Sequence, residues 1–239
     1  MVTNDANQRP VNQLKYVNRQ LYHETAGLEI TYNSVFVNHV VPNESIHHFI
    51  RFTVRCSPGK LQWLKQVVVE ETATTEEKTL FSWHRNNTKS ILALLKFCAE
   101  NPQTTVTLQV PRFEIILSLD NPDNEHAGYN FIGQGLILSL AFRGVDLTSI
   151  APEFGDKSSL AYDNVVQRMQ RRHRRDITSL HEHTSNLKLM PRMVEWNTDE
   201  FRTSALRSWN DLARDPADLP LNALDTWVEY AHLWMSQGI

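Results

Sequence analysis

Apolar residues recur at three- and four-residue steps between Leu14 and Leu28. Leu14, Val17, Leu21 and Leu28 share one line, Tyr22 and Ala26 lie beside it, and Asn18, Arg19, His23 and Glu24 fall between. That spacing predicts a helix with a single buried stripe. Gly27 stands near its end, where it can supply a left-handed cap, and Val35-Phe36-Val37 beyond it reads as a short strand. From Glu44 to Cys56 the period is helical again, with Ile46, Phe49, Ile50 and Thr53 on one face, and Ser57-Pro58-Gly59 closes the helix.

The pattern then changes period. Trp63, Leu64, Val67, Val68 and Val69 form a nearly continuous apolar run, which suits a strand covered on both faces of a parallel sheet. Thr72 to Asn87 is polar and reads as a loop. Asn87-Thr88 then offers a cap to a helix through Ile91, Leu92, Leu94, Leu95 and Phe97, which Asn101-Pro102 stops. Thr104 to Val110 alternates and is rich in β-branched residues, so it predicts a second strand. Strand, helix and strand between Trp63 and Val110 make the crossover expected of adjacent parallel strands.

Phe113 to Leu119 is a further apolar run, a strand or the start of a third unit, and Asn121-Pro122-Asp123 breaks it. Tyr129 to Phe142 predicts a buried helix. Its Gly133 and Gly135 are read as helix-packing positions, because the GQG lacks the third glycine, the lysine and the preceding strand of a phosphate loop. After Pro152 strand signals thin out. Helices are expected over Lys157 to Arg175, Asp199 to Leu212 and Leu221 to Met235. The last carries Leu224, Trp227, Val228, Ala231, Leu233 and Trp234 in a broad stripe that is costly to leave in water, so it should pack on the α/β part. The expected architecture is α/β (or α+β): a small, partly parallel sheet of strand-helix-strand units in residues 1–150, with a helical C-terminal region in residues 151–239 packed on it as one compact unit.

Composition narrows the functional classes. With 239 residues, 41% of them hydrophobic, the chain can bury a full-sized core. A formal net charge of -3 gives no global attraction to nucleic acid or an anionic membrane. Cys56 and Cys98 are too few for a disulfide scaffold and read as reduced core thiols. The opening MVTNDANQRP lacks the basic and apolar regions of a secretion signal, and the longest apolar runs fall short of the roughly 20 residues a bilayer crossing needs. A cytoplasmic or nuclear protein without a membrane partner is expected.

Candidate chemistry is sparse. Arg168, Arg171, Arg172, Arg174 and Arg175 crowd one expected helix and could form a polyanion-binding or nuclear-import patch, although no aromatic residues interleave for base stacking. His47-His48 and the His181, His183 pair lack the four-ligand spacing of a zinc site. No GxSxG elbow occurs, and Cys56 has no evident base. Glu70-Glu71 and Glu76-Glu77 read as solvated acidic runs. No catalytic, cofactor-binding or metal-binding residue is assigned, and no cofactor is expected.

The stretch VNRQLYHETAGLE, followed by a tyrosine, an asparagine and a hydrophobic strand, resembles the filamentous-fungal F-box-like proteins. The likeness is best over the first ~40 residues and extends loosely to the strand-helix-strand region and to LMPRMVEWN and FRTSALRSW. It implies irregular leucine-rich-repeat-like units and a role in contacting an unidentified protein partner. The leucine-proline helix start of the LPxELR kind, which in such proteins engages a ubiquitin-ligase adaptor, is not among these residues, so that recruitment is not expected to carry over. Two other classes remain open on the sequence: an accessory enzyme or small-molecule binder of a fungal toxin or pigment pathway, and nucleic-acid association through the arginine helix.

Overall fold

The computed structural model describes residues 34–74, 80–115, 127–143, 145, 184–193, 196–211 and 222–239. Among them the chain runs β1 (Val35–Asn38), α1 (Ser45–Arg55), α2 (Pro58–Trp63), β2 (Gln66–Glu70), α3 (Leu80–Glu100), β3 (Thr105–Ile115), α4 (Ala127–Arg143), β4 (Leu187–Met193), α5 (Thr198–Asp211) and α6 (Ala223–Gln237). The fold is α/β. The four strands lie side by side in chain order, and every neighbouring pair is parallel. The Trp63 to Val110 crossover is therefore present, with Val67 opposite Val106 and Val69 opposite Leu108. The Leu14 to Leu28 helix lies outside the described residues.

Several boundaries differ from the expected ones. Pro58 does not merely stop a helix; it opens a new short one, α2, because a proline ring fits the first helical turn where no N–H is needed. Trp63 belongs to that helix and not to the strand. α3 begins at Leu80, so the polar stretch up to Asn87 is partly helical, and Asn87 bonds the carbonyl of Trp83 one turn back instead of capping. The C-terminal region also contributes a strand: Leu187–Met193 is β4, although LKLMPRM has a proline in its middle. Pro191 is tolerated because β4 is the outer described strand and a proline there forfeits no ladder donor.

Strand parity positions the core. Val67, Val69, Val106, Leu108, Val110, Leu187 and Leu189 are all buried, and they face helices α1, α3, α4 and α6. β3 bulges between Val110 and Glu114, where β4 advances by only one residue, from Pro191 to Arg192. The extra residues turn Phe113 inward. Its ring stacks on Phe131 of α4 at 4.7 Å, and Trp234 of α6 leans on both at 6.3 and 5.9 Å. α6 thus packs on the sheet and on α4, as its tryptophan stripe requires. Gly135 makes that crossing possible, since a Cβ there would lie 2.1 Å from the Trp234 ring. Gly135, the second glycine of the GQG, is a packing position.

The last residues complete the outer edge. Leu189 and Ile239 exchange two backbone hydrogen bonds, at 3.0 and 2.9 Å, beside β4. Arg143 at the end of α4 donates to the carbonyls of Thr184, Leu187 and Ile239, which ties α4, β4 and that edge together. Gly238 allows the approach with a φ of 77°.

Candidate interaction face

The opposite parity of the strands carries different residues. Phe36, Val68, Thr107 and Lys188 stand in one cross-strand row, and Asn38, Glu70, Gln109 and Met190 in the next. None of these eight side chains is buried. The expectation that Val67-Val68-Val69 is covered on both faces fails here: Val67 and Val69 are buried, while Val68 is only half-buried, between exposed Gln66 and half-buried Glu70. The signal was in the sequence, because the valine run is too short to hide the polar residues two positions away on either side.

This face is held in place by its own polar ladder. Ser34 Oγ donates to Gln66 Oε1 at 2.8 Å, and Asn38 Nδ2 donates to Glu70 Oε2 at 3.0 Å. Arg192 reaches across from β4 to within 3.7 Å of Glu70 Oε1. Parallel sheets are nearly always covered on both sides. Among the described residues the second side carries amides, hydroxyls and an ion pair, none of them on a buried residue.

A second polar cluster sits at the C-terminal ends of β1 and β2. Glu71 is not part of a solvated acidic run, as expected; it is 1% exposed. Its carboxylate accepts from the backbone N–H groups of Ile46 at 3.0 Å, Ser45 at 3.4 Å and Thr72 at 3.3 Å. The N-cap residue of α1, Glu44, makes no side-chain cap bond, so Glu71 does that work from the neighbouring strand. Burial pushes the Glu71 pKa above the usual carboxylate value, against the lowering effect of those N–H groups. Asn43 takes a φ of 66° in the same turn, and its Oδ1 accepts from Asn87 Nδ2 at 2.8 Å.

The adjacent histidines part company, as their positions on a helix imply. His47 Nδ1 lies 3.0 Å from Glu44 Oε2, whereas His48 stacks on His39 with ring centroids 4.0 Å apart. The Val41 N–H donates to His39 Nδ1 at 3.1 Å, which occupies that nitrogen's lone pair. Burial, then the charge of His39, holds the His48 pKa below its usual value. Among the described residues no group of three or more His, Cys, Asp and Glu side chains is arranged to hold a metal ion.

Cys98 is buried, with its thiol pushed up to about 12 by desolvation, and half-buried Cys56 is also raised by burial. Burial works against thiolate formation at both. The arginine patch at Arg168, Arg171, Arg172, Arg174 and Arg175 lies outside the described residues, as do His181 and His183. No described helix is long and apolar enough to cross a membrane. No protein-family model, curated protein or solved structure matches the chain.

Proposed function

We propose that this chain is a non-enzymatic, intracellular protein-interaction module of the fungal F-box-like kind, and that it docks its partner on the second face of the parallel sheet. One observation carries this reading: among the described residues, four strands present a polar, internally braced second face with no buried side chain in its two central rows. The rows run across all four strands, and Phe36, 56% exposed, supplies an apolar anchor at one side. Repeat proteins that line up parallel strands in chain order use the same geometry to build extended binding surfaces.

The test compares native-extract capture by the full chain with capture by Phe36→Asp/Thr107→Arg, a pair of changes on the face and away from the core. A protein retained by the first and lost by the second supports the reading. Equal capture by both, or none by either, contradicts it.

A further inference from the structure

The turn between β1 and α1 is held by two unlike sets of contacts. From Asn43 onward it is anchored to other elements: the Asn43 N–H donates to the Thr72 carbonyl at 3.0 Å, Asn87 Nδ2 donates to Asn43 Oδ1, and Glu71 accepts from Ser45 and Ile46. The first half rests on one side chain. His39 Nδ1 lies 3.1 Å from the Val41 nitrogen and 3.4 Å from the Val41 oxygen, while Val40 and Val41 are 91% and 53% exposed. The backbone of His39 is itself fixed, since its N–H donates to Ser45 Oγ at 3.1 Å.

This contact depends on the charge of the ring. A neutral imidazole with its proton on Nε2 can accept the Val41 N–H at Nδ1, whereas an imidazolium donates at both nitrogens and accepts at neither. The stack opposes the charged form as well: the His48 ring lies 4.0 Å from that of His39 with 19° between the planes, so protons on both would repel at close range. His39, Arg51, Glu44 and His47 act on His48, and Glu44, the carboxylate among them, is already engaged by His47 at 3.0 Å. From the elements packed on α1, Glu71 beyond β2 is turned to the N–H groups of Ser45 and Ile46, and α3 meets the turn through uncharged Asn87.

We propose that the β1–α1 turn is an acid-responsive latch: protonation of His39 takes the Val41 N–H off its ring nitrogen, offers the new N–H to the Val41 carbonyl, and frees Val40 and Val41 while Asn43 to Ile46 stay anchored. The latch changes an exposed apolar pair beside Asn38 at the carboxyl end of β1, and it stands whether or not the second face of the sheet docks a partner.

The test follows the backbone amides of the full chain by NMR from about pH 7.5 to about pH 5, across the ordinary histidine range. Solvent exchange of the Val41 amide, corrected for the pH dependence of an unprotected amide, should quicken about fivefold or more, the scale of one lost hydrogen bond. The change should follow the His39 imidazole resonances. The amides of Ser45 and Ile46 report Glu71 separately and should not share it. In His39→Asn the side-chain oxygen can still accept the Val41 N–H in an Asx turn but takes up no proton, so the response should vanish. His48→Phe keeps a stacked ring without a proton, and there the response should persist. A Val41 amide indifferent to pH, or one equally responsive in His39→Asn, overturns the latch. A response lost in His48→Phe with His39 intact overturns His39 as its trigger, and one shared with Ser45 and Ile46 assigns it to Glu71 instead.

Discussion

The Ile46 N–H donates to Glu71 Oε2 at 3.0 Å, so a carboxylate just after β2 caps α1, the helix that follows β1. The contact closes the first crossover on itself: β1, α1 and β2 cannot shift against one another without exposing the N–H groups of Ser45 and Ile46. Glu71→Ala should therefore cost about 2 kcal/mol, the scale of leaving buried donors unsatisfied. Urea denaturation of the two chains measures it; an unchanged midpoint would show that Glu71 caps nothing.

The same residue gives a signed pH dependence. Its folded pKa is raised, so its contribution to stability is fully present below its unfolded value near 4.5 and declines as pH rises through the folded pKa. The stability gap between the native chain and Glu71→Ala should be wider at pH 4.5 than at pH 7. A gap that widens toward neutral pH would contradict a carboxylate whose burial outweighs its N–H donors.

Gly135 lies under the ring of Trp234. Alanine is ordinarily better than glycine inside a helix by about 1 kcal/mol. Here its Cβ would meet ring carbons at 2.1 to 2.4 Å, and the clash dominates. Gly135→Ala should destabilise by about 1–3 kcal/mol, as overpacked cores do. The cost should shrink in Gly135→Ala/Trp234→Leu relative to Trp234→Leu alone, a non-additivity that equilibrium unfolding reads directly.

Arg143 is half-buried and donates to three carbonyls, two around the start of β4 and that of Ile239. Arg143→Met keeps the apolar stem and removes the donors, at a cost of about 3 kcal/mol. Amide exchange should quicken first at Leu189, whose N–H bonds the Ile239 carbonyl. Exchange that quickens uniformly would mean Arg143 is no local clasp.

His48 titrates below its usual value because burial and the stacked His39 oppose its proton. In His39→Asn its imidazole resonances should titrate at higher pH by NMR. No movement would mean the stack carries no electrostatic coupling.

Much of this architecture was legible in the residues. The β-branched alternation of Thr104 to Val110 and the apolar face of Ile46, Phe49 and Thr53 follow local periodicities, and these elements formed where expected. β4 did not announce itself, because LKLMPRM carries a proline and a weak alternation; pairing with β3 and the clasp of Arg143 decide it. Glu71 was hidden for a related reason. An acid beside another acid reads as solvated, and only the neighbouring helix N-terminus, 25 residues away in sequence, explains its burial. The second face of the sheet lay in plain view as Gln66, Val68 and Glu70, but the valine run masked their shared parity.

Adjacent positions on β3 test the one-sided sheet directly. In a Cys56→Ser background, where buried Cys98 is unreactive, Thr107→Cys and Val106→Cys place a thiol on the open and the core face respectively. The thiol at position 107 should react with a maleimide rapidly in the native chain, and the thiol at position 106 only as fast as the protein unfolds. Equal protection at both positions would contradict an open face.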